Sequence, residues 1–79
     1  MKLVKFIHNV NYIFTLFFDD KKQKKVDLQA LIGKYVSVNE LVTAHINSEW
    51  GCLEFNAGQV DIEPKTLYHY TFSDTQSNK

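Results

Sequence analysis

The chain has 79 residues, 44% of them hydrophobic and eleven aromatic, and its nine lysines balance nine acids for a formal net charge of zero. That length makes one small domain, which buries only about 60% of its unfolded surface, and the apolar content excludes a disordered chain. The single cysteine, Cys52, excludes an intrachain disulfide and a cysteine-based zinc cage, so the fold rests on packing, which a partner subunit would assist.

The charge is unevenly placed. Residues 1–40 hold seven Lys against Asp19, Asp20, Asp27 and Glu40, or +3, whereas residues 41–79 hold Lys65 and Lys79 against Glu49, Glu54, Asp61, Glu63 and Asp74, or −3. The absence of arginine counts against sequence-specific reading of DNA, because Arg is the side chain that grips phosphate and guanine bidentately. The N-terminal stretch from Met1 to Phe6 lacks a continuous apolar run and a small-residue cleavage site. It reads as a first strand rather than a signal peptide, which makes the cytoplasm the expected compartment.

In chain order, Leu3 to Ile7 reads as a strand, with Asn9 and Asn11 around Val10 as the connection. Tyr12-Ile13-Phe14-Thr15-Leu16-Phe17-Phe18 follows as the central strand, with Tyr12, Phe14, Leu16 and Phe18 on one face and Ile13, Thr15 and Phe17 on the other. Both faces are apolar, which predicts a strand covered on at least one side. At seven residues it is far too short to cross a bilayer as a helix, and no membrane partner is expected. Asp19-Asp20-Lys21-Lys22 is a hairpin turn in which Asp tolerates the left-handed conformation, and Lys24-Lys25-Val26 returns as a third strand.

Asp27 is placed to N-cap a helix beginning at Leu28, with Gly33 as its stop. Leu28, Leu31 and Ile32 share the face that would lie on the sheet. Ser37 or Asn39 is placed to cap a second short turn through Glu40-Leu41-Val42, and Ser37 with Glu40 has the spacing of a capping box. Residues 44–47 and 52–55 flank Ser48-Glu49-Trp50-Gly51 as a second hairpin, with Gly51 supplying a positive φ. Asn56-Ala57-Gly58 is another turn, and Gln59 to Ile62 a short extended piece. Pro64, which biases Glu63 toward extended backbone, suits the first position of a helical turn through Tyr68. From Ser73 the chain is polar. The expectation is an α+β fold: a small antiparallel sheet built from two β-hairpins with one or two short helices packed on it, a single domain over residues 1–72 and a flexible tail over 73–79.

No catalytic, cofactor-binding or metal-ligating set emerges. His8, His45 and His69 share no ligand spacing, and Cys52 has no companion that marks it as a nucleophile, so it reads as a small hydrophobe on a strand. Two groups remain as candidates for binding. Lys21, Lys22, Lys24 and Lys25 form a basic cluster able to touch phosphates, and lysines at a hairpin tip and edge strand also guard against edge-to-edge aggregation. Trp50, Phe55, Tyr68, Tyr70 and Phe72 crowd the acidic C-terminal third. There Glu49, Trp50, Glu54 and Asp61 are the expected protein-binding residues, with Trp50 the aromatic least suited to full burial.

Two segments carry a resemblance. Tyr12 through Asp20 followed by Val26-Asp27-Leu28, and Trp50 through Gly58 followed by Asp61-Ile62-Glu63-Pro64-Lys65-Thr66-Leu67-Tyr68, resemble in order and spacing the small prokaryotic family of unknown function DUF2442. The likeness runs over about residues 3–70, and the closing segment is the more specific. Members of that family usually have Trp where this chain has Phe55, and Gly in the first hairpin turn where this chain has Lys21 or its neighbour. One extra residue lies between Gly58 and Asp61. Asp27, Gly58, Asp61, Pro64, Leu67 and Tyr68 match its motif positions.

The resemblance implies a compact α+β domain with no catalytic residues to carry over. It also implies a stand-alone protein of the kind encoded beside another small protein in what look like toxin–antitoxin pairs, since the chain ends without room for a helix-turn-helix. The functional expectation is therefore a non-catalytic, antitoxin-like protein-binding module. Its partner would be a small toxin-like protein or a second copy of itself. The alternative is a nucleic-acid-binding or regulatory domain acting through the Lys21–Lys25 hairpin.

Overall fold

A computed structural model describes residues 1–73. Its elements are strands β1 (Leu3–Val10), β2 (Ile13–Phe18) and β3 (Gln23–Asp27), helix α1 (Gln29–Ile32), a 3₁₀ segment (Val38–Thr43), strands β4 (His45–Asn47), β5 (Cys52–Phe55) and β6 (Val60–Ile62), and helix α2 (Pro64–Phe72). The strands form two three-stranded antiparallel sheets, ordered β1-β2-β3 and β4-β5-β6. The expected α+β architecture is present, with each hairpin extended by a third strand.

Alternation along β2 sets the core. Phe14, Leu16 and Phe18 are fully or almost fully buried, as is Tyr12 just before the strand, whereas Ile13, Thr15 and Phe17 on the other face are half-buried. The central strand is thus covered on one side. Its inner face meets the second sheet at Phe14 and Phe55, whose rings stand 6.2 Å apart and edge-on, the arrangement their quadrupoles favour. Phe18 packs edge-on against Tyr68 of α2 at 5.0 Å. Leu3, Leu28, Ile32, Val36, Leu41, Leu53, Ile62 and Leu67 complete the core. The Tyr12 hydroxyl reaches across it to donate to the Val36 carbonyl at 2.6 Å.

Several local expectations are corrected. β1 runs to Val10 instead of ending at Ile7, because β2 pairs with it as far as Val10–Ile13 once Val4 and Asn9 are accommodated as bulges. Such bulges make an edge strand a poor template for further pairing. Lys21, not an Asp, takes the left-handed position of the first turn, at φ +73°; Asp20 accepts the Lys22 N–H at 3.0 Å instead.

Helix α1 starts at Gln29, with Leu28 in the cap position. Asp27 supports it from one residue earlier, its Oδ1 accepting the Gln29 N–H at 2.9 Å. Gly33 is right-handed at φ −59°, and the chain turns on past it, Tyr35 and Val36 both donating to the Ile32 carbonyl. The Ser37–Glu40 capping box is present, with Glu40 Oε1 accepting the Ser37 N–H at 2.8 Å. Helix α2 continues to Phe72, a turn beyond Tyr68, because Tyr68 and Phe72 both pack on Phe18. Of the expected tail, residues 74–79 lie outside the described residues.

The sheets are joined where the chain begins. Leu3 donates to the Gly51 carbonyl at 3.1 Å, and Asp19 donates to the Lys2 carbonyl at 2.9 Å. The N-terminus therefore lies between the first hairpin turn and the β4–β5 turn, and it positions Met1 and Lys2 beside Trp50.

Candidate functional site: an aromatic groove

The β4–β5 turn presents Trp50. Asn47 Oδ1 accepts the N–H groups of Glu49 and Trp50 at 3.0 and 3.2 Å, and Gly51 donates to the Asn47 carbonyl at 2.6 Å. The asparagine thus stands in for a turn of backbone. The tight turn leaves the indole 64% exposed. Beside it opens a groove of about 830 Å³ lined by Met1, Lys2, Trp50, Cys52, Asp61, Glu63, Pro64, Lys65, Tyr68 and His69. That is the size of a site for a small ligand or a few partner side chains.

Strand register explains the floor. Antiparallel pairing places Asn47 opposite Cys52, and His45, Glu54 and Asp61 in one row across the sheet. Glu63, two residues beyond Asp61, shares its face. Glu54 is held within this face: its two oxygens accept from His45 Nε2 at 2.8 Å and Asn47 Nδ2 at 3.2 Å, and its side chain is only 14% exposed. Burial, then the charges of Asp61, Glu54 and Glu63, push the Cys52 thiol above its ordinary value. The thiolate is disfavoured there, as it is for a structural cysteine.

Of the four expected protein-binding residues, the structure brings Trp50 and Asp61 together in the groove. Glu49 is exposed on the same turn, outside the lining. Glu54 is engaged with its neighbours. The groove is also less acidic than the sequence suggests, because Lys2 and Lys65 stand at it beside the two carboxylates. Glu63 was legible from its spacing to Asp61 in an extended segment. Met1 and Lys2 were not, since only long-range contacts, Leu3 with Gly51 and Asp19 with Lys2, carry them there.

The four lysines of the hairpin do not form one surface. Lys24 is opposite Leu16 on the inner face and Lys25 opposite Thr15 on the outer. The Lys22 ammonium lies 6.0 Å from the centres of the Tyr68 and Phe72 rings, and that of Lys24 lies 5.9 Å from Phe72, distances at which a cation is drawn to a ring face. Tyr68, then Asp20, hold Lys22 above its ordinary value. Asp20 in turn accepts the Tyr68 hydroxyl at 2.8 Å.

The histidines are dispersed. His8 stacks on Phe14 at 4.6 Å, His45 pairs with Glu54, and His69 lines the groove. Among the described residues no group of three or more His, Cys, Asp or Glu side chains has the geometry to hold a metal, and no helix is long and apolar enough to cross a membrane.

A family model described as a protein of unknown function (DUF2442) matches residues 4–73 of the 79-residue chain. Neither the curated proteins nor the solved structures contain a match.

Proposed function

The chain belongs to the DUF2442 family of unknown function, and from that premise we propose that it is a non-catalytic protein-binding module whose groove receives another small protein. The observation that carries this reading is Trp50. A large indole on a residue 64% exposed, on a turn fixed by Asn47 and lining a groove, has the character of an interface anchor, since Trp is enriched among the few residues that carry most of the energy at protein contacts. Asp61 and Glu63 in the groove, with Glu49 on the turn, would meet basic groups of the partner and fix its orientation. The antitoxin-like role that the family resemblance implies gives the partner its kind: a small, toxin-like protein met in the cytoplasm, whose basic surface is masked on binding. Nucleic acid is a less supported ligand, because the Lys21–Lys25 cluster is divided between two faces and two of its lysines lie over aromatic rings.

The test is capture of partners on the tagged chain from its own host at native expression, run in parallel with Trp50→Ala and with the pair Lys24→Glu and Lys25→Glu. One stoichiometric protein retained by the wild type and the lysine variant but lost by Trp50→Ala supports the reading. Retention by Trp50→Ala, with loss on the lysine variant, overturns it in favour of the hairpin.

A further inference from the structure

We propose that, when no partner occupies it, the groove pairs with the groove of a second copy of this chain about a two-fold axis, each Trp50 seated against the other copy. A two-fold contact uses the same patch on both copies, so that patch has to be complementary to itself. Lys2 and Lys65 stand at this groove with Asp61 and Glu63, two acidic and two lysine side chains. Among the described residues none of the four makes an ion pair, the one contact of that kind there being His45–Glu54, ionic only with a protonated imidazole. About a two-fold axis that passes between its lysines and its carboxylates, such a patch sets the one against the other, whereas a uniformly acidic face would repel its copy whatever the axis.

The patch is also partly apolar. Met1 is 54% and Trp50 64% exposed, and the partly buried Pro64 and Tyr68 line the same groove. A buried Trp removes about 150–250 Å² from water, and a groove of about 830 Å³ has room for one. The fold itself gains from such a contact, because a chain of this length with one cysteine has no covalent staple.

Self-pairing would also gate the site. Partner and second copy would compete for the same indole, so the partner's apparent affinity falls as the chain becomes more concentrated. This last step rests on the protein-binding reading; the dimer itself does not.

Sedimentation velocity of the full chain from about 1 µM to about 1 mM covers the range of a weak to moderate contact. The expected result is a concentration-dependent shift to dimer mass that weakens with added salt. Trp50→Ala abolishes the shift, Lys65→Glu weakens it by about tenfold or more through like-charge contact, and Lys65→Glu combined with Glu63→Lys restores it. A monomer at every concentration overturns the proposal, as does a dimer indifferent to both Trp50→Ala and Lys65→Glu, which would use another face. A monomeric chain that captures a partner through Trp50 overturns only the dimer. A Trp50-dependent dimer that captures no partner through Trp50 overturns only the protein-binding reading.

Discussion

At Gly51 two constraints coincide. Its φ is +74°, and a Cβ there would stand 2.4 Å from the Cβ of Lys2. The left-handed conformation costs a non-glycine residue about 1–2 kcal/mol, and forced overlap in a packed site typically about 1–3 kcal/mol more. Gly51→Ala should therefore lower the unfolding free energy by at least about 2 kcal/mol, read as a fall in the urea midpoint; an unchanged midpoint would contradict the docking of the N-terminus on this turn. Lys21 and Ala57 are the opposite case, side-chain-bearing residues at φ +73° and +58°. Lys21→Gly or Ala57→Gly relieves that strain of about 1–2 kcal/mol but frees the unfolded chain by about 0.4–1 kcal/mol, so each should leave a net gain of up to about 1.5 kcal/mol. A destabilised Lys21→Gly chain would mean that the lysine side chain matters more than its backbone.

Two carboxylates make stability depend on acid. The Lys22 backbone N–H, then the Tyr68 hydroxyl, hold Asp20 below its ordinary 3.8, and the Ser37 backbone N–H holds Glu40 below its ordinary 4.5. A carboxyl whose folded value is depressed stabilises the fold above its unfolded value and loses that contribution as pH falls through the folded one. The urea midpoint should thus begin to fall as pH drops below about 4.5 and keep falling below 3.8. The combined Asp20→Asn and Glu40→Gln chain should show a flatter decline, and an identical slope would assign the acid sensitivity to other groups.

At the scale of elements, the hairpins and the core face of β2 were legible because a period of two leaves a clear trace in short apolar strands. The extent of α1 was not. Four residues give too little period to fix a start, and the Asp27 carboxylate bonds the same kind of orphan N–H from either of two adjacent positions. The end of α2 was hidden for another reason: Tyr68 and Phe72 find their surface on Phe18, and that contact joins α2 to a strand of the first sheet far back in the chain. Tyr12 ties the elements together through its 2.6 Å bond to the Val36 carbonyl. Tyr12→Phe leaves that buried acceptor unpaired and should cost about 1–3 kcal/mol, with faster amide exchange over residues 32–36. Wild-type stability in that variant would show that water can reach the carbonyl.

For the molecule as a whole, the opposite charges of the two chain halves do not become two opposite faces. Lys2 comes from the basic half yet lies in the groove with Asp61 and Glu63, and the exposed Lys22 lies over the rings of Tyr68 and Phe72. Trp50 and Asp61 could be chosen from sequence because an indole on a Gly turn and a carboxylate on the neighbouring strand need only local pattern. The groove between them needs the chain's first residues brought against its fiftieth, and no period in the sequence encodes that closure.

Trp50 as the anchor of a protein partner is the property on which the proposed function depends. The most direct measurement is the dissociation constant of the captured partner for the wild-type and Trp50→Ala chains, titrated at one low protein concentration and one ionic strength. An anchor loses about 2 kcal/mol or more on truncation, so the variant should bind at least about thirtyfold more weakly while keeping its urea midpoint. Equal dissociation constants for the two chains would contradict the account and remove the groove from the function of this protein.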